Sequence, residues 1–394
     1  MGAQLASTGG KSGTPLLLAS TATQWLGTAR IPRALAEAGF EVSLLTPRNA
    51  LAENSRHVAR LGYIPDGATP AQWAVAFGAM VEATSPRIVV PCDDMAFRLL
   101  SLLARADRPM VRPDIAPRLS ALIRHSLGDP AHYDASVDKT LLPPAAQALG
   151  IRVPPYAVVE APPEAEAFAA AQGYPVVLKR GHGFAGQGVA ICADSLALAR
   201  AFEAFTQANA QDPMCTIPNR HLVQAHIPGR IRYCIATAWN GELLAGYAAE
   251  KVVADPEPVG PPTVTRYFRS PALREITARL VRGFGISGHF FAEFVVSDPG
   301  GDASLLELNR RITPASHRGS ARNVDFCAAL YAGVHGRPST SGADIAEGDE
   351  GINVFFPGEW LRDPESRYLT DHPVDIPWDE PELFEALLAL RHVR

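Results

Sequence analysis

The chain has 394 residues, 47% hydrophobic and 20% charged, an ordinary composition for a soluble globular protein. At roughly 100 to 200 residues per domain it has room for two or three domains. A formal net charge of -5 with no long basic run argues against nucleic acid as a main partner, and no apolar run approaches the ~18 residues that span a membrane.

Residues 1–14 are polar and glycine-rich without a signal-peptide core, and Ala6 stands where a myristoylation motif wants Ser or Thr, so a disordered leader is expected. The five cysteines, Cys92, Cys192, Cys215, Cys234 and Cys327, form no C-x-x-C pair. Neither a zinc site nor a disulfide framework is expected, and a reducing cytoplasm fits. A strand is expected at 16–19, a helix in the later half of 20–40 stopping at Gly39, and a second strand at 42–45. A helical pattern follows at 73–83, then a third strand at 88–90 and a helix from about Met95 that Asp93 or Asp94 can cap. This alternation implies parallel βαβ units in a doubly wound sheet. Ligands sit at the carboxyl ends of such strands, so residues 21–28 and 92–94 are candidate rim loops, or plain connectors.

Residues 105–138 are rich in Arg, Asp, Pro and His and mark a joint between domains. Lys139 then stands near the start of a helical stretch ending at Gly150, and a short helix is expected at 164–171. The stretch YPVVLKRGHGFAGQGVAIC, residues 174–192, reads as two strands around a loop with glycine at 181, 183, 186 and 188. Glycine lets backbone N–H groups turn toward one centre, and Lys179 just before the loop supplies a countercharge, a combination suited to a polyphosphate. Gly181-x-Gly183-x-x-Gly186 matches the dinucleotide fingerprint in letters only, because a strand follows where that motif needs a helix. A kinase-type loop would carry its lysine later in the chain, and H-R-D, D-F-G and the Walker pattern are absent. The alternative is a flexible glycine hairpin with no ligand.

A helix is expected at 195–207, then two strand-like runs joined by the hairpin turn Asn240-Gly241. Residues 222–227 are apolar but interrupted by Gln224 and His226; their backbone can meet a purine edge, or they are an ordinary strand end. After a helix at 271–284 comes GHFFAEFVVSDPGGDASLLELNRRITPASH, two strands around the turn 298–302. Alternation places Glu307, Asn309 and Arg311 on one face of the second strand, with Glu293 able to sit opposite on the first. Two carboxylates and an amide oxygen among Phe290, Phe291, Phe294, Leu306 and Leu308 are costly without a partner and suit Mg²⁺, although a solvent-facing Glu-Arg pair also fits the pattern. His317, Arg318 and Arg322 follow, either to bind an anionic substrate or a phosphoryl group, or to pair across domains. Beyond residue 336 a loop, a strand at 352–356 and a final helix at 381–391 carry no evident chemistry.

In this order, from residue 138 to residue 317, the chain resembles the ATP-grasp superfamily, which includes D-alanine ligase, biotin carboxylase and the L-amino acid ligases. The resemblance implies a mixed α/β and α+β architecture. A Rossmann-like domain would cover 15–125 and an ATP-grasp domain 126–335, divided into a lid at about 155–225 and a C-terminal catalytic subdomain at about 226–335. An extension over 336–394 would pack on the ATP-grasp domain. It further implies that Lys139 and Lys179 contact ATP phosphates under a lid formed by Gly181, Gly183, Gly186, Gln187 and Gly188. Gln224, Ala225 and Ile227 would line the adenine hinge, with Gln224 standing where many members carry glutamate. Glu293, Glu307 and Asn309 would hold Mg²⁺ or Mn²⁺, and Arg311 would stabilise the phosphoryl group in flight. The implied activity joins a small-molecule carboxylate, activated as an acyl phosphate, to an amine. Carboxyphosphate or carbamoyl chemistry, phosphoryl transfer to another acceptor, and ATP binding without turnover remain alternatives. The oligomeric state is open, a homodimer included.

Overall fold

The structure is a computed structural model that describes residues 13–105, 111–183, 188–212, 214–257, 260–297, 301–319, 323–339 and 342–392. Residues 1–12 of the expected leader, Gly186 and Gln187 of the glycine loop, most of the 298–302 turn and Arg322 lie outside the described residues, and Thr14, expected in the leader, begins the first strand.

Strands β1 (Thr14–Ala19), β2 (Phe40–Thr46), β3 (Val58–Tyr63) and β4 (Ile88–Pro91) form a parallel sheet in the order β3-β2-β1-β4. Apolar side chains alternate to both faces of β1. Leu16 and Leu18 pack with Ile31 and Leu35, whereas Leu17 and Ala19 pack with Trp73, Phe77 and Phe97. Burial on both faces is what makes these strands continuous apolar runs. Strand β3 escapes the pattern because it is an edge strand whose middle residues, Ala59 to Leu61, are exposed. The segment read as a joint carries the helix Ala116–Leu127, whose Leu119, Ile123 and Leu127 complete the core on one side of this sheet.

A second sheet is antiparallel, built from β5 (Tyr156–Val159), β6 (Val176–Arg180), β7 (Val189–Cys192) and β8 (His221–Ala225) in the order β5-β8-β6-β7. Its Val176, Leu178 and Val223 point into a small core with Leu198 and Phe202 of the helix Ser195–Ala210. The alternate residues Val177, Lys179, Leu222 and Gln224 therefore share the opposite face.

The largest sheet has the order β13-β12-β9-β10-β11-β14, from β9 (Arg230–Trp239), β10 (Glu242–Ala254), β11 (Pro262–Phe268), β12 (Gly288–Val296), β13 (Ala303–Asn309) and β14 (Gly351–Val354). The Asn240-Gly241 turn links β9 to β10 with both residues at positive φ. The helix Pro271–Phe284, capped by the Ser270 side chain, covers one face through Leu273, Leu280 and Phe284. Beyond residue 336, β14 pairs with β11, and Leu383 and Leu387 of the helix Pro381–Ala389 pack against Ala29 and Leu51 of the N-terminal region. Among the described residues no helix is long and apolar enough to cross a membrane.

Candidate active site

The antiparallel register of β12 and β13 sets Glu293 directly opposite Glu307 and Phe291 opposite Asn309. The same rows continue onto β9, where Glu293 faces Tyr233 and Phe291 faces Ile235. Directly opposed residues on neighbouring strands project from one face. The two carboxylates and the amide thus stand together on a patch that turns apolar one strand further in. The expected convergence of Glu293, Glu307 and Asn309 is a register effect. Arg311 lies two residues past the end of β13 and still reaches the group.

Lysines come to this patch from other elements. Lys139, in the turn before the helix Leu142–Ala148, places Nζ 3.1 Å from Glu307 Oε1 and donates to the Gly183 carbonyl at 2.6 Å. Lys179, at the end of β6, is buried and donates to the Leu306 carbonyl at 3.3 Å. Burial lowers the pKa of its ammonium, while Glu307 and Glu293 act to raise it. Burial pushes the Glu293 carboxyl up to about 7, helped by its neighbour Glu307 and opposed by Lys179, Lys251 and Lys139. Glu307 is half-buried, yet Lys139 and Lys179 outweigh its desolvation and hold its carboxyl below the usual range. Two carboxylates on adjacent strands, one pushed toward its neutral form by burial and by the other, make a candidate cation site.

Lys139 also ties the glycine hairpin down. Its N–H bonds to the Gly181 carbonyl at 2.8 Å, and the hairpin closes through Arg180 N–H to the Gly188 carbonyl at 2.9 Å. Gly188 has φ 82, and a Cβ there would press to 2.8 Å from the Arg180 side chain. Gln224 projects from the same sheet face as Lys179, buried, and neither atom of its amide has a hydrogen-bond partner. Such an unpaired buried amide is a group waiting for a ligand. Ala225 uses its own N–H on the Pro155 carbonyl at 2.9 Å, so its N–H is not free for a purine. Ile227 lies in the connection from β8 to β9, half-buried.

The two candidate rim loops, and a lysine that the sequence did not single out, complete the site. Asp94 Oδ2 accepts from Arg311 Nε at 3.0 Å, and the guanidinium lies over the rings of Trp25, at 4.8 Å, and Phe291, at 5.2 Å. Trp25 and Asp94 belong to the two rim loops after β1 and β4, so both loops reach the site. Lys251 comes from β10, where Ala245, Tyr247 and Ala249 are buried on alternate positions and a lysine then breaks the series. That break is a signal legible in the sequence. His317 and Arg318 do not face an open anion site. His317 Nε2 is 2.6 Å and Arg318 Nη1 3.5 Å from Asp375, which also takes Arg30 at 2.8 Å. Of their two readings, pairing across segments is the one the geometry carries.

Two cavities meet at Glu307 and Asn309. One, of about 330 Å³, is bordered by Lys139, Arg180, His182 and Gly183. The other, of about 140 Å³, is bordered by Lys251, Arg311, Glu293 and apolar side chains. Among the described residues no group of three His, Cys, Asp or Glu gathers as a metal site; the donor set here is two carboxylates and one amide oxygen. That set fits Mg²⁺, which takes one or two protein carboxylates and completes its shell with water and phosphate oxygens.

No protein-family model and no curated protein matches the sequence. Solved structures do. The biotin carboxylase of Campylobacter jejuni, in complex with βγ-ATP, is 15% identical with TM-score 0.65 over 86% of this chain and 75% of that one. The biotin carboxylase domain dimer of the Hydrogenobacter thermophilus 2-oxoglutarate carboxylase, with MgADP, ADP and bicarbonate, is 18% identical with TM-score 0.64, covering 87% and 74%. The N5-carboxyaminoimidazole synthetase of Staphylococcus aureus, complexed with ADP, is 12% identical with TM-score 0.62, covering 92% and 90%. The chain has the ATP-grasp fold, with a parallel N-terminal sheet, a small antiparallel sheet and a large antiparallel sheet.

Proposed function

We propose that this chain is an ATP-dependent carboxylate–amine ligase, and the observation that carries the reading is the shared edge of the two cavities. A nucleotide in the larger one and an acid in the smaller one would meet at Glu307 and Asn309, with Lys139 and Lys179 on one side and Arg311 and Lys251 on the other. A bound Mg²⁺, held by Glu293, Glu307 and Asn309, would neutralise phosphate charge and orient the γ-phosphate.

The chemistry asks for little covalent help. A carboxylate oxygen attacks the γ-phosphorus, the bond from that phosphorus to the β,γ-bridging oxygen breaks, and ADP leaves with the electron pair. The amine nitrogen then attacks the acyl carbon, the acyl C–O bond breaks, inorganic phosphate departs and the amine loses a proton. The first step needs alignment and charge neutralisation, which Lys139, Lys179 and Arg311 supply from fixed positions. The second needs water kept from the acyl phosphate, a task suited to the hairpin that Lys139 anchors at Gly181 and Gly183. The unpaired amide of Gln224 is the group on this face able to read the adenine edge.

The experiment supplies ATP, Mg²⁺ and a panel of carboxylate and amine pairs and reads phosphate release and product mass. Release dependent on one pair, abolished in Glu307→Ala, supports the ligase; release that no pair ever stimulates overturns it. A second reading, activation of bicarbonate to carboxyphosphate, is favoured by the bicarbonate present in the Hydrogenobacter thermophilus structure. ADP release stimulated by bicarbonate alone would select it.

A further inference from the structure

Resting on the ligase reading, we infer that the acid this chain activates is an organic carboxylate with a compact apolar tail, a branched chain or a single ring, and not bicarbonate or a diacid. The argument begins with the register of three strands. From the edge formed by Glu307 and Asn309, one row runs through Glu293 to Tyr233 and the next through Phe291 to Ile235. An acid whose carboxylate meets the metal edge therefore has its remainder over Phe291, Tyr233 and Ile235. Phe355 and Ala315 close the space from the far side. Tyr233, Ile235, Ala315 and Phe355 are all buried.

Charge is distributed unevenly around this cavity. Its cations are Arg311 and Lys251, and both are engaged with groups of the protein. Asp94 holds Arg311 at 3.0 Å, and Lys251 of β10 donates to the Gly260 carbonyl at 2.9 Å. Bicarbonate is no larger than a carboxylate head, so it would sit at the polar edge and leave the space over Phe291, Tyr233 and Ile235 unfilled. A diacid would bring a second charge to a cavity whose two cations already have protein partners. An apolar tail leaves nothing unpaired and removes its own surface from water. Size agrees, since the cavity of about 140 Å³ is close to the volume, on the order of 150 Å³, at which an apolar protein cavity takes up a benzene ring.

The test uses the full chain with ATP and Mg²⁺, hydroxylamine as a small nucleophile, and the acids phenylacetate, isovalerate, acetate, succinate and bicarbonate, reading ADP release. Phenylacetate or isovalerate should exceed the other three in kcat/KM by at least tenfold. Ala315→Leu, which adds bulk at the wall, should lower the phenylacetate-to-acetate ratio about tenfold, and Ile235→Trp provides a second obstruction should the first variant fold poorly. Acetate, succinate or bicarbonate turning over as well as the apolar acids overturns the inference, as does an unchanged ratio in both obstructed variants. Should no acid stimulate ADP release, it is the ligase reading that fails. Phenylacetate binding to the chain with MgADP, followed by ligand-observed NMR, then decides the pocket: binding lost in the obstructed variants supports it, and absence of binding overturns it.

Discussion

Arg311 and Asp94 are 217 residues apart in the chain and meet at 3.0 Å, Nε to Oδ2. The contact joins the end of the parallel sheet to the end of β13, so the N-terminal domain positions a residue of the candidate site directly. The guanidinium lies over the rings of Trp25 and Phe291 while Asp94 fixes its rotation. Asp94→Asn keeps the size and removes the charge. We expect kcat to fall roughly 10- to 100-fold with a smaller change in KM for ATP, because alignment of the transferred group is lost before nucleotide affinity is. Arg311→Lys should be at least as damaging, since a lysine neither stacks nor presents a planar fork. Steady-state kinetics of both variants check this, and an unchanged kcat in Asp94→Asn would remove its positioning role.

Glu307 is the carboxylate that stays ionised, held so by Lys139 and Lys179, whereas Glu293 is pushed toward the neutral form. Replacing Glu307 by Gln leaves Lys139 without its 3.1 Å partner and takes the firmer anion from the candidate metal edge. Calorimetric titration of ADP with and without Mg²⁺ should show the metal's contribution to affinity lost in Glu307→Gln. Metal-free ADP binding should be retained or strengthened, because a freed Lys139 can turn to phosphate. Mg²⁺ enhancement equal to that of the unaltered chain would contradict the assignment of this edge.

Gln224 gives a prediction in which stability and binding move oppositely. A buried amide with no partner costs about 1 to 3 kcal/mol, so Gln224→Leu should raise the urea midpoint of the protein. It should also weaken ATP by about tenfold, the equivalent of one lost hydrogen bond of ~1.4 kcal/mol, and reduce discrimination against GTP. A variant both less stable and unaltered in nucleotide preference would place the amide outside the adenine contact.

Much of the site was legible because it follows local rules. Alternation predicts that Glu307 and Asn309 share a face, and the turn residues after Val296 predict an antiparallel return that brings Glu293 opposite. What the sequence could not supply was position across long separations. Asp94 is visible as a helix cap candidate, but its neighbour Asp93 does the capping, through Ala96 N–H at 2.9 Å, and this leaves Asp94 free to meet Arg311. His317 and Arg318 read equally well as ligand or ion-pair residues until the chain beyond residue 370 brings Asp375 to them. The helix Phe326–Val334 lacks a polar stripe because it is buried nearly all round, so its period is invisible. Strand β11 begins at a proline and alternates weakly, and it pairs with strands on both sides only in the folded sheet.

The last prediction concerns acid. His289 is buried with both ring nitrogens unpartnered, and burial alone lowers its pKa to about 4; His221 is brought to about 4 as well, by burial and then by Arg180. Both lie below the unfolded value of about 6.5, so the unfolded chain binds more protons between those limits. Each histidine's contribution is therefore complete above pH ~6.5 and is lost as pH falls toward 4. Glu293 acts with the opposite sign: its carboxyl, raised to about 7, favours the folded state at low pH, and that gain fades as pH rises from ~4.3 through 7. Comparing variants at one position cancels the Glu293 effect. His289→Leu fills a site that makes no hydrogen bond, and between pH 6.5 and 5 it should lose about 2 kcal/mol less unfolding free energy than the unaltered chain. Urea midpoints at the two pH values give the difference, and parallel loss in both proteins would show that burial does not depress His289 in the folded state.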